Sequence, residues 1–167
     1  MSSITRDPAL ELPTATKTSI DRLMARYASA IDNGEYEVWP TLFTEDGVYR
    51  ITTRTDYEAG RDFGVWYCNN RGMLEDRVQA IRGVNIYEPH VYRHMTGATE
   101  VLSLGGEEAR CETSYLVVRT DVDGDMTVFS AGRYVDHLVF EGGQALLRSR
   151  VVVADSARFD TLVALPI

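Results

Sequence analysis

The chain has 167 residues, room for one domain with a substantial core. Its formal net charge is −8 and it has no run of lysine or arginine, so neither a nucleic-acid backbone nor an anionic membrane surface is expected as partner. No stretch reaches the roughly 20 apolar residues of a membrane span, the first sixteen residues lack a signal peptide's apolar core, and Cys68 and Cys111 form no C-x-x-C pair, which together predict a reduced, cytoplasmic protein.

Residues 1–16 carry Pro8 and Pro13 without periodicity and read as an extended arm, leaving residues 17–167 as one α+β domain. Ile20, Leu23, Met24, Tyr27, Ala28 and Ile31 follow the 3.6-residue period of a helix that starts near Thr16 to Thr18 and ends at Asn33-Gly34. A short helix is predicted over Tyr36–Phe43, bent near Pro40. Asp46-Gly47 then turns the chain into a strand through Ile51. Residues 53–72 read as a long loop anchored by Phe63, Trp66 and Tyr67, and a third helix over Met73–Ile81 turns Leu74, Val78 and Ile81 inward. Gly105-Gly106, Asp123-Gly124 and Gly142-Gly143 then separate four strands of a meander: His94–Leu104, Glu107–Thr120, Met126–Phe140 and Gln144–Ala154. Strands this long must twist and curl, so the expected architecture is a curled antiparallel sheet with helices packed in its concavity. Apolar runs such as Tyr115–Val118 and Val151–Val153 give both faces of the sheet apolar centres, which predicts a second chain covering the outer face.

Motifs for resident chemistry fail one by one. His90 and His94 have the spacing of a helical metal pair, but Pro89 and the β-type residues that follow predict an extended segment, which sets four-residue neighbours about 13 Å apart. Neither cysteine has a histidine within a few positions, as a Rieske cluster would need, and no phosphate-binding glycine motif is present. Asp121, Asp123 and Asp125 read as a hairpin turn, because a calcium loop would need glycine elsewhere and a glutamate where Gly132 stands. No catalytic, cofactor or metal residue is therefore expected. The one alternative constellation is Asp32 at the end of the first helix, Tyr49 on the first strand and His94 at the start of the meander. In a cone-shaped domain they can share a cavity suited to proton transfer. Otherwise Asp32 bonds nearby backbone, and Arg93 and His94 make structural hydrogen bonds.

Several spaced motifs, taken in order, resemble one family. They are Tyr27-Ala28-x3-Asp32, Trp39-Pro40-x-Leu42-Phe43-Thr44, Tyr49-Arg50, Met73-Leu74-x-Asp76-Arg77-Val78, Asn85-Ile86-Tyr87-Glu88 and Tyr92-Arg93-His94. Phe129-x-x-Gly132-x-Tyr134-x-Asp136 and Asp155-Ser156-x4-Thr161-Leu162-x-Ala164-Leu165-Pro166 continue the series. Together they resemble the small (beta) subunits of aromatic-ring-hydroxylating dioxygenases, most of all the terephthalate-oxidising members and next the salicylate-hydroxylating ones. The resemblance implies an NTF2-like cone fold and an assembly of three large and three small subunits. It further implies that a Rieske [2Fe-2S] cluster and a mononuclear iron sit in the large (alpha) subunit, with electrons from NADH arriving through a reductase. The small subunit would then be non-catalytic and structural. The contrasting reading is a free-standing NTF2-like dehydratase or isomerase using Asp32, Tyr49 and His94.

Overall fold

In the computed structural model, which describes residues 10–83, 88–159 and 163–167, helix α1 spans Thr14–Asp32. It begins inside the expected arm, directly after Pro13, whose fixed φ suits a helix start; residues 1–9 of that arm lie outside the described residues. Ile20, Leu23, Met24, Tyr27 and Ile31 form its buried stripe, as the period predicts. The amide of Gly34 bonds to Ile31 O and that of Glu35 to Ala30 O, and Gly34 sits at φ 71°. This is the paired hydrogen bonding of a Schellman cap, which glycine enters without steric cost.

A 3₁₀ turn over Tyr36–Leu42 contains Pro40 and buries Trp39, and the chain passes directly into β1, Phe43–Thr53. The expected turn at Asp46-Gly47 is instead a register shift inside β1, between Phe43 and Val48. Residues 53–72 are not one long loop. Helix α2 (Arg54–Glu58) is capped by the Thr53 side chain, and β2 (Trp66–Cys68) pairs antiparallel with β1. Of the three expected aromatic anchors only Trp66 is buried, while Phe63 and Tyr67 face solvent. Helix α3, Arg71–Gly83, buries Leu74, Val78 and Ile81 as expected.

The first meander strand is two strands. β3 (His90–Thr96) and β4 (Glu100–Gly105) both pair with the same edge of β5 (Glu108–Asp121), and the chain breaks between them at residues 97–99. β6 (Met126–Glu141) and β7 (Gln144–Ala154) complete the hairpins close to their expected bounds. Gly106, Gly124, Gly142 and Gly143 all have positive φ in the turns between them.

The sheet order is β2-β1-β7-β6-β5-β3, with β4 also on β5. It is mixed rather than purely antiparallel, because β1 lies parallel to β7. Register shifts at Val117/Val118 and His137/Leu138 bulge the long strands, which lets the sheet curl around the helices. In β5, Ala109, Cys111, Thr113, Tyr115 and Val117 face inward, so Leu116 and Val118 both face outward. The segment Val163–Ile167 returns to the interior and is buried throughout.

Candidate functional site

Among the described residues, two clusters of charged side chains stand in the concave interior. The first joins α1 to β3. The Asp32 carboxylate accepts the His94 main-chain N–H at 3.1 and 3.0 Å, and His94 Nδ1 lies 2.6 Å from Asp32 Oδ1. The Arg93 guanidinium reaches the same carboxylate at 3.5 Å. Nδ1 faces the carboxylate, which leaves Nε2 as the other ring nitrogen. That atom is buried and finds no hydrogen-bond partner among the described residues. The orientation is that of a carboxylate-positioned base. Access is what the pair lacks: the His94 side chain is 0% exposed and that of Asp32 5%.

Tyr49 does not join them. Its hydroxyl donates to Ile167 O at 3.0 Å and accepts the Ile167 N–H, while Tyr27 donates to the same carbonyl at 2.7 Å. Burial raises the Tyr49 phenol well above its ordinary pKa, so it stays a neutral donor. Trp66 Nε1 fixes the other end of the returning segment through Val163 O at 3.0 Å. Trp39 meets Phe43, Tyr49 and Trp66 edge to face, with ring centroids 5.9, 5.1 and 6.3 Å away. Side chains and the Val163–Ile167 segment thus occupy the space in which the three candidate residues were expected to meet.

The second cluster had no counterpart in the sequence reading. Arg150 on β7 makes a bidentate pair with Asp136 on β6, at 2.9 and 2.7 Å, both side chains almost fully buried. Its guanidinium is sandwiched between Tyr27 and Tyr134, 4.0 and 4.1 Å from the ring centres. Burial opposes the charge on Arg150, but the facing Asp136 carboxylate outweighs it and holds the guanidinium protonated. Tyr134 in turn stacks on Tyr115 at 4.7 Å. One signal was available in the sequence: Asp136 alternates with the inward Tyr134 and Leu138, an inward carboxylate that must find a cation.

The remaining metal-type donors are scattered. His90 bonds Glu88 O, His137 bonds Glu108, and His94 bonds Asp32. Burial pushes the Cys111 thiol up to about 12, with the Asp136 carboxylate adding to the effect, so it remains protonated. Among the described residues no three His, Cys, Asp or Glu side chains converge as a metal site. The donor set therefore does not fit an iron–sulfur cluster or a mononuclear iron. A groove of about 620 Å³ between α1 and β7 is lined by residues such as Ser19, Arg22, Leu23, Leu42 and Leu146, and by none of Asp32, Tyr49 or His94.

A mixed sheet curled over three helices, with its interior filled, places the chain in the SnoaL-like domain family, whose pattern matches residues 13–151. The chain is similar to the anthranilate 1,2-dioxygenase small subunit of Burkholderia cepacia, 38% identical over 145 residues that span 87% of this chain and 90% of the relative. It is also 38% identical, over 143 residues, to subunit beta 1 of the terminal oxygenase component of terephthalate 1,2-dioxygenase from Comamonas sp., covering 86% and 93% of the two chains. A crystal structure from Novosphingobium aromaticivorans, assigned as the beta subunit of an aromatic-ring-hydroxylating dioxygenase, superposes with a TM-score of 0.86 at 36% identity, covering 94% of this chain and all of that one. The chain belongs to the small subunits of aromatic-ring-hydroxylating dioxygenases, and so is one component of an oxidoreductase complex.

If Asp32 and His94 tie helix to strand, replacing either by Ala should lower thermal stability and the yield of assembled complex. Turnover per assembled complex should stay within a few-fold. Normal assembly with turnover reduced by orders of magnitude would assign the pair to chemistry instead.

Proposed function

We propose that this chain is the structural small subunit of a Rieske non-haem-iron oxygenase that acts on an aromatic carboxylate such as terephthalate, working in the cytoplasm as three large and three small subunits. The large subunit would carry the [2Fe-2S] cluster and the mononuclear iron, NADH would supply electrons through a reductase, and no residue of this chain would be catalytic. The relatives that act on anthranilate and terephthalate support an aromatic carboxylate as substrate. The observation that carries the structural role is the contrast between the two faces of the sheet. The inner face is packed with aromatic rings and covered by Val163–Ile167, and among the described residues the Asp32 and His94 side chains are almost fully buried. The outer face presents Val91, Met95, Met126 and Val128, each at least 60% exposed. Apolar area of that kind marks an interaction surface.

The filled interior and the diversion of Tyr49 to Ile167 disfavour the free-standing dehydratase or isomerase that would use Asp32, Tyr49 and His94. Expressed without a partner, the chain should bind no stoichiometric iron and hydroxylate no aromatic acid. Adding the large subunit and the reductase should produce hydroxylation. Iron analysis and the visible absorbance of a Rieske centre test this, and a Rieske spectrum from the single chain would overturn it.

A further inference from the structure

The groove between α1 and β7 follows from strand register. β7 begins at Gln144, but its pairing with β1 begins only at Leu147, opposite Phe43, so the start of β7 runs beyond β1. Helix α1 and the end of the 3₁₀ turn flank this overhang and leave a groove of about 620 Å³, a size that suits a small molecule. Its apolar surface comes from the buried Leu23 and Ala145 and the half-buried Leu42 and Leu146.

Polar groups on α1 complete the groove. Ser19 Oγ accepts the Ala145 N–H at 2.8 Å, which ties the helix to the overhang and leaves the serine O–H itself to donate. Arg22 and Arg26 line the groove one turn apart. Arg26 is matched by Glu35 at 2.7 Å, and the nearby Lys17 by Asp21 at 2.5 Å. Arg22, between them, forms no ion pair among the described residues. No carboxylate is among the described residues that line the groove, and Glu141, beyond the β6–β7 turn, lines a separate cleft with Arg148. An apolar floor beside one unmatched guanidinium and a spare hydroxyl is complementary to a flat apolar body with a single carboxylate. A planar guanidinium meets a carboxylate through two parallel N–H donors.

We propose that this groove binds a small aromatic carboxylate, its ring against Leu23, Leu42 and Leu146 and its carboxylate on Arg22 and Ser19. The inference rests on the reading above, in which aromatic carboxylates are the substrates of the complex. It adds a second, non-catalytic site for the same chemical class on the small subunit. A bound acid would bridge α1 and β7 and stabilise the folded chain by mass action.

The test is equilibrium dialysis of the full chain against benzoate, without the large subunit, with the melting temperature followed in parallel. The wild type should bind benzoate saturably at millimolar concentration and melt higher as benzoate is added. Benzyl alcohol keeps the ring without the charge and should bind about fivefold more weakly. Arg22→Gln should weaken benzoate by about the same factor and leave benzyl alcohol unchanged. Arg22 is exposed, so the circular dichroism of the variant should match that of the wild type. No saturable benzoate binding, equal affinity for the alcohol, or benzoate binding that Arg22→Gln leaves unaltered would each overturn the site. A chain that binds no benzoate yet purifies with a larger iron-containing polypeptide would overturn the site and leave the subunit reading intact.

Discussion

Asp136→Ala is expected to destabilise the fold by about 3–5 kcal/mol, the usual cost of stranding one member of a buried ion pair. Arg150 would keep its charge between the rings of Tyr27 and Tyr134 with no anion facing it. Urea unfolding monitored by the buried Trp39 and Trp66 should show a fall in midpoint with little change in slope. Pairing the change with Arg150→Met should recover part of the loss, because two apolar side chains remove both the charge and its desolvation cost. Recovery should stay incomplete, since the cation–π contacts, worth ~2 kcal/mol when desolvated, go with the guanidinium. An Asp136→Ala variant as stable as wild type would mean that water reaches the pair, contrary to its burial.

The second large effect concerns assembly. Leu116 and Val118 have the same parity on β5, and the structure turns both outward, Leu116 beside Met95 and Val118 between Val128 and Arg93. Val118→Lys should leave the isolated chain folded, because an outward lysine is solvated there. It should dissociate the complex, because an interface of more than roughly 1,000 Å² would have to bury an unpaired ammonium at its centre. Circular dichroism should be unchanged while light scattering shows loss of mass. An assembly that survives both Val118→Lys and Leu116→Lys would place the interface elsewhere.

What the sequence disclosed follows its periodicities. The α1 stripe, the inward face of α3 and the three glycine hairpins are local signals, and each appears where the spacing puts it. The parallel pairing of β1 with β7 has no local signal, since alternation along a strand says nothing about which strand lies beside it or in which direction. Residues 53–72 misled because α2, with five residues, and β2, with three, each span less than two periods of their pattern, and β2 is held by tertiary bonds to β1 and Val163. The break between β3 and β4 was hidden because apolar residues continue on both sides of Gly97.

The site divides in the same way. Asp32 and His94 do meet, and the carboxylate also accepts the His94 main-chain N–H, the structural bonding that the sequence offered as the other reading. Tyr49 was placed with them because it faces the same interior, but the returning Val163–Ile167 segment claims its hydroxyl, a contact 118 residues away in sequence. The Asp136–Arg150 pair depended on β6–β7 register, which sets those two residues opposite each other. A bulge between His137 and Leu138 shifts that register, so counting from the Gly142-Gly143 turn does not find the pair.

The central claim is that this chain organises a complex whose chemistry lies in another polypeptide. Gentle purification of the chain from cells that produce it, followed by mass and iron analysis of everything that remains bound, tests the claim most directly. The account predicts a larger polypeptide in fixed ratio, carrying all of the iron and acid-labile sulfide. Recovery of this chain alone, with an aromatic substrate turned over in its own interior, would contradict it.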